Sequence, residues 1–511
     1  MKVHKILLLL IGLSIIGCSD LEEEPVGLLS PDGFFQTTDD IQLAVNASLT
    51  HAINEEFWGR KLSIALLLRS DMVNLNSSQT HRVEMNMHTI TGDNEMVYDP
   101  WTRTYLGIAA ANNAIAGADQ VTADDEFKNP VVAQAYFARA FYYFHLVRLF
   151  GDVPYIDAPA SDIEAASTIS NTPEAEVYEK IISDLEYAEQ WLPNIVTSRA
   201  TPSKAAAKSY LALVYLTLAG NTSGSPYWQM AYDKAKEVIT NKGTYDVDLD
   251  PDFQTLFNAN KIDASKEPIF VLDYNNVEAP DNAYDQTAPM TGIRGDDDGA
   301  GGGWSVATPT MAVYDSFDPD DYRTRVSFQT EALINDVTVD YTNFQSSGHE
   351  HAVNSPYIAK YLRFPGEYAR GNKRATSHNY SMLRYAEVLL IAAEAGVEIG
   401  AADAVNFLNE VRGRARNGGE STNGGYVPVT VPPSAVPADL SSITVNDVLE
   451  ERRIELAFEG KRWYDIKRRQ LGDVVFSASG YEGAKPDWNA SVDYDTPIPQ
   501  DEIDRNPNLA N

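Results

Sequence analysis

The chain has 511 residues, of which 44% are hydrophobic, and carries a formal net charge of −33 with one cysteine. That field repels nucleic acid and an anionic leaflet, and it disfavours acidic polysaccharides unless a local basic patch or a bridging cation overrules it. One cysteine excludes an intrachain disulfide, so the packed core alone must hold the fold.

The chain begins with Lys2 and Lys5, an apolar run over residues 6–10, and Ile15-Ile16-Gly17-Cys18. A basic start, a short apolar stretch and a small residue before the cut predict a signal peptide over residues 1–17, too short to stay as a membrane-spanning helix. The lone Cys18 is then the site of lipid attachment, each buried methylene contributing about 0.8 kcal/mol of membrane affinity. Residues 18–30, acidic and interrupted by Pro25, read as an extended tether. No later segment is apolar over enough residues to cross a bilayer.

Helical periodicity then recurs along the chain. Residues 44–68, 105–118 and 174–192 predict helices, and residues 131–150 form about five turns that are apolar on most faces, which requires burial among other helices. Thr201-Pro202 introduces a helix over 203–219 rich in Ala205, Ala206, Ala207 and Ala212, and its partner runs from 228 to 240. A third block covers 381–395, then Gly400, then 404–416. Small residues at every third or fourth position followed by a second amphipathic helix are the pattern of tetratricopeptide-like hairpins. Between 243 and 377 the texture changes to loops, Gly/Asp turns and short apolar strands such as 268–272. Residues 418–442 form a second loop insert before a final charged helix. The reading is a mainly α single domain over 31–511, with an N-terminal helical part (31–242), a loop-rich ligand-side insert (243–380) and a C-terminal part (381–511).

Three clusters invite a chemical role. Glu451, Glu455 and Glu459 share one helical face, but Arg452, Arg453, Lys461 and Arg462 are interleaved with them. Guanidinium neighbours keep carboxylates ionised, the wrong direction for the protonated acid that a glycosidase needs. A buried ion-pair network with bidentate arginines is therefore expected. His349-Glu350-His351 could put two imidazoles on one face of a strand, but no obvious third zinc ligand is near and a solvated loop is expected. Asp296-Asp297-Asp298 lacks the EF-hand glutamate, because the twelfth position is Ala307. No Gly-x-Ser-x-Gly elbow occurs, and an acylated Cys18 is no nucleophile. The expectation is no catalytic residue, no metal and no cofactor.

A sugar ring needs a flat apolar face with amides, carboxylates or arginine at its rim, and the chain holds 27 tyrosines. Most aromatics here belong to the core, Trp58 and Trp101 among them. The informative ones lie in polar loops. Trp304, after Gly301-Gly302-Gly303, is expected to be an exposed platform, and Tyr284 and Arg294 share its loop. Asp71, Asn74, Asn76, Arg82 and Tyr98 form a second candidate set in a polar loop between helices.

The ordered motif blocks carry a resemblance. They are Cys18-Ser19-Asp20-Leu21 through Pro25, Ala138-Arg139-Ala140-Phe141-Tyr142-Tyr143-Phe144, Arg148-Leu149-Phe150-Gly151-Asp152-Val153-Pro154, and Leu383-Arg384-Tyr385-Ala386-Glu387. Asn409-Glu410-Val411-Arg412, Glu451-Arg452-Arg453-Ile454-Glu455 through Asp465, and Pro497-Ile498-Pro499-Gln500 follow. In these blocks the chain resembles the SusD/RagB family of outer-membrane nutrient-binding lipoproteins. The resemblance implies a SusD-like fold in which helical hairpins pack against a loop-rich ligand region. It also implies a non-enzymatic, surface-exposed lid over a SusC-like TonB-dependent transporter, lipid-anchored in the outer membrane and capturing oligosaccharides, less often peptides. A secreted glycoside hydrolase is the competing class.

Overall fold

A computed structural model describes residues 31–159, 168–274, 284–296, 303–366 and 376–510. Cys18, the signal region 1–17 and the tether 18–30 lie outside the described residues, as do Asp297, Asp298, Gly301 and Gly302.

The main helices, in chain order, are α1 (Thr38–Ala52), α2 (Lys61–Leu68), α3 (Thr80–Met87), α4 (Glu95–Gly117), α5 (Asp125–Phe150) and α6 (Glu174–Trp191). They continue as α7 (Lys204–Ala219), α8 (Pro226–Thr240), α9 (Tyr385–Ile399), α10 (Ala404–Ala415), α11 (Val445–Glu455) and α12 (Arg462–Arg468). Each helix of one series packs on the next: α1 on α4, then α5, α6, α7, α8, α9 and α10 in turn. The hairpins expected from alanine spacing are α5/α6, α7/α8 and α9/α10, and the α1/α4 pair adds one more layer. Alanines permit the approach: Ala205, Ala206, Ala207 and Ala212 of α7 have no exposed surface. Ser203 caps α7 by accepting from the Ala206 N–H at 3.2 Å, and Ser225 caps α8 ahead of Pro226.

Three expected helices differ from those observed. The stretch 44–68 is two helices separated by a π-helical turn at Glu55–Gly59, where Asn54 caps the turn and Phe57 leaves helical geometry (φ −110°, ψ −114°). The helix expected at 381–395 starts only at Tyr385, because residues 380–384 form a strand. The charged helix at 451–465 ends at Glu455 and resumes at Arg462; Phe458 (φ 64°) and Gly460 (φ 68°) adopt left-handed backbone between them.

The strands are β1 (Val73–Leu75), β2 (Pro268–Leu272), β3 (Ala307–Pro309), β4 (Phe328–Gln329), β5 (Glu331–Ile334), β6 (Val337–Asp340), β7 (Tyr357–Ile358), β8 (Tyr380–Arg384), β9 (Gly419–Thr422) and β10 (Pro428–Val431). Among the described residues they pair two by two, all antiparallel: β1 with β3, β2 with β8, β4 with β7, β5 with β6 and β9 with β10. β2 is buried at every residue, and its ladder with β8 stitches the loop-rich part onto the start of α9. One cluster of buried apolar side chains runs from Ala52 on α1 to Leu509 and includes Trp58 (1% exposed) and Trp101 (3%), both structural as expected.

Candidate functional site

The β1–β3 ladder joins the two sets of candidate residues. Asn74 stands opposite Thr308, and Leu75 opposite Ala307, three residues from Trp304. The Asn76 N–H donates to the Val306 carbonyl at 2.8 Å, and its side-chain amide donates to the Thr308 hydroxyl at 2.8 Å. Asn74 is exposed and Asn76 half-buried, so the ladder presents two amides along one edge.

The Trp304 arm is fastened from below. The N–H groups of Trp304 and Val306 donate to the carbonyls of Pro289 and Met290 at 2.6 and 2.9 Å, and Ser305 N–H donates to Gly292 at 2.9 Å. A Cβ on Gly303 would fall 2.2 Å from the Gly292 backbone, so only glycine permits this approach. Trp304 is half-buried against the main core, not the fully exposed platform expected, because this arm is drawn onto the Pro289–Met290 turn. Arg82, on α3, reaches the same turn: its guanidinium lies 3.9 Å from the Met290 sulfur and 3.5 Å from the Ser77 hydroxyl. Burial first, then neighbouring Arg60, pushes Arg82 down to about 10, against the pull of Glu95.

Tyr284 closes the other flank, its hydroxyl donating to Glu55 at 3.3 Å, while Arg60 holds Glu55 at 3.2 Å. Gln286 N–H donates to the Gly59 carbonyl at 2.7 Å and docks this loop on the π-helical turn. Arg294 is half-buried with its N–H on the Ser305 hydroxyl at 2.9 Å. The structure thus brings Asn74, Asn76, Arg82, Tyr284, Arg294 and Trp304 around β1, β3 and the 287–291 turn.

Two candidates do not belong there. Asp71 has no exposed surface, and both carboxylate oxygens are taken by Arg462 at 2.8 and 2.7 Å, which makes it a buried structural anion. Tyr98 lies on α4 rather than in a loop, and its side chain bonds Arg505 near the C-terminus. Ser77, Thr308 and the Glu55/Arg60 pair were not selected from sequence. The hydroxyl of Ser77, next to Asn76 in a polar run, is the only local signal any of them carries.

The carboxylates beside the site are neutralised. Glu95 is held by Lys61 at 2.6 Å and His81 at 3.0 Å, and Lys61 also meets Asp99 at 3.4 Å. Burial raises Asp99, whereas in Glu95 the burial effect is outweighed by the Lys61 contact. Glu451, Glu455 and Glu459 are buried as expected, but their partners arrive from distant elements. Arg384 bonds Glu267 at 2.7 Å, Glu455 at 2.6 Å and Glu459 at 2.9 Å; Arg323 bonds Glu451 at 2.5 Å and Glu455 at 3.0 Å; Lys360 bonds Glu459 at 2.7 Å. Burial alone would raise Glu455, yet Arg414, Arg384 and Arg323 together hold it well below the usual carboxylate range. His349-Glu350-His351 forms a largely exposed turn, the solvated loop expected, with His351 3.1 Å from Glu350. Asp296 is buried against Tyr426. Among the described residues no group of three His, Cys, Asp or Glu is arranged for a metal. Chemically, the surface offers amide and guanidinium donors beside two aromatic rings.

Two family profiles match the sequence: one described as "SusD family" over residues 329–511, the other as "Starch-binding associating with outer membrane" over residues 38–216. The chain is 47% identical to SusD-like protein P2 of Formosa agariphila, across 100% of this chain and 99% of that protein. It is 24% identical to a SusD-like protein of Bacteroides ovatus, covering 91% and 82% of the two chains. A SusD homolog from Bacteroides thetaiotaomicron superposes with a TM-score of 0.78 at 20% identity, over 94% and 97% of the chains. Surface glycan-binding protein A from Bacteroides uniformis gives 0.74 at 22% identity, over 93% and 99%. At these identities the two superpositions establish the fold.

Proposed function

The chain belongs to the SusD family, and from that premise we propose that it is a non-enzymatic, outer-membrane lipoprotein that binds oligosaccharides at the cell surface and hands them to a SusC-like TonB-dependent transporter. The observation that carries the binding part is the convergence of Asn74, Asn76, Arg82, Tyr284, Arg294 and Trp304 across the β1–β3 ladder. Half-buried aromatic edges flanked by fixed amide and guanidinium donors suit a hydroxylated ring, whose apolar face needs contact and whose hydroxyls need partners. The "starch-binding" description of one matching family and the glycan-binding name of a structural neighbour support a sugar as ligand. The ion-paired state of the carboxylates beside the site supports binding without hydrolysis, since a glycosidase requires one carboxyl kept protonated across a cleft.

Membrane attachment through Cys18 supplies the surface location, and the transporter partnership is what such a lid serves. Calorimetry of the mature protein with oligosaccharides, with the glycan checked for cleavage, tests the reading. Asn76→Ala, Arg82→Gln and Trp304→Ala should each weaken binding, Tyr98→Ala should not, and the glycan should be recovered intact. Unchanged affinity in all three site variants would remove this surface from the ligand path, and glycan cleavage would restore the hydrolase.

A further inference from the structure

A second polar groove lies where the C-terminal end of α5 meets residues 490–498. Its cavity is about 380 Å³ and is walled by Arg148, Glu174, Tyr178, Tyr464, Lys467 and Ser491. Val492 and Asp495 also line a neighbouring cavity of about 470 Å³. A cavity of this size suits a small sugar ligand.

Arg148 is the unusual wall residue. It is 7% exposed, and its guanidinium carbon sits 3.7 Å from the ring centres of both Phe144 and Tyr464. Nε donates to the Phe144 carbonyl at 2.9 Å, but among the described residues no acceptor reaches the two terminal amino groups. Several other buried arginines of this chain have carboxylates, as Arg139 has Asp184, Arg323 has Asp321 and Arg468 has Glu394, while Arg69 and Arg363 place their terminal amino groups on hydroxyl and carbonyl oxygens. The aromatic faces stabilise the cation from above and below. They leave unused the in-plane fork of N–H donors, the geometry that takes a carboxylate or sulfate. Beside it, Lys467 is spent on the Arg148 carbonyl at 2.8 Å and on Asp495 at 2.5 Å. The opposing carboxyl is Glu174, which burial pushes up, with Lys467 pulling the other way; this eases an anion's approach.

We infer that this groove is a subsite for an acidic sugar, its anionic oxygens paired in plane with Arg148 and its hydroxyls met by Gln470 and Ser491. That the ligand is a sugar rests on the function proposed above; that it is an anion rests on Arg148. The global charge of −33 does not forbid it, because at physiological salt charges beyond about 8 Å are largely screened and the local fork decides.

The test titrates the mature protein with a glucuronyl disaccharide and with its neutral glucosyl counterpart. The glucuronyl sugar should bind at least about tenfold tighter, the value of one charge-assisted contact. Arg148→Gln should erase the preference. Because Arg148 is a core residue, Ser491→Trp on the exposed rim provides a second variant that fills the groove without touching the core, and it should abolish the glucuronyl preference. Equal affinity for both sugars, or a preference that survives Ser491→Trp, overturns the inference while leaving the proposed function standing. Failure of every neutral and acidic glycan to bind overturns both.

Discussion

At the scale of the residue, Trp304 and Glu455 show how local surroundings set a role. Trp304 is half-buried and packs on the core. Trp304→Ala should weaken glycan binding by about 1 to 3 kcal/mol and, because the ring packs on the core, lower the melting temperature without unfolding the protein, as calorimetry and thermal unfolding can read together. Glu455 has no such freedom. Its folded carboxyl is held below the unfolded value, so its contribution to stability is present above about pH 4.5 and is lost as pH falls through and below that value. Glu455→Gln should destabilise the protein by about 3 to 5 kcal/mol near neutrality, because it leaves Arg384, Arg414 and Arg323 short of counter-charge, and should make acid unfolding shallower. Glu482 carries the opposite sign. Burial pushes it up to about 7 despite Lys485 at 3.1 Å, so it favours the folded state at low pH, and that advantage is lost as pH rises from about 4.5 through 7. Glu482→Gln should raise the melting temperature at pH 8 relative to wild type and flatten its decline between pH 5 and 8. A variant less stable than wild type at pH 8 would contradict this.

At the scale of the element, the hairpins were the most legible part of the sequence, because alanine spacing and apolar periodicity are local signals that tertiary packing reinforces. The α7/α8 and α9/α10 pairs follow that spacing closely. Residues 381–384 were misread for the same reason: an apolar run has no periodicity that distinguishes a buried strand from a helix, and only the β2 partner more than a hundred residues away decides. The turn at Glu55–Gly59 was also hidden, since no Pro or Gly precedes Phe57 to announce a break. Close helix approach yields a direct test. A Cβ on Gly107 of α4 would fall 2.3 Å from the Tyr142 ring of α5. Gly107→Ala should therefore destabilise by about 1 to 3 kcal/mol despite alanine's better helix propensity. Stabilisation by that change would mean that the two helices are not packed this closely.

At the scale of the whole molecule, the candidate surface was half legible. Two polar loops with aromatics were selected independently, and the ladder that joins them spans more than two hundred residues. Asp71 and Tyr98 were placed with them because sequence reports polarity and neighbourhood, not burial; the partner of Asp71 is Arg462, at the other end of the chain. Arg148 reads from sequence only as part of a motif block with apolar neighbours, which suggests a core position and no ligand role. The central claim is that this SusD-family chain captures oligosaccharides. Titration calorimetry of the mature protein against oligosaccharide mixtures and peptide digests in parallel tests it most directly. Saturable heats with glycans and none with peptides are predicted; saturable binding of peptides with no glycan response would contradict it.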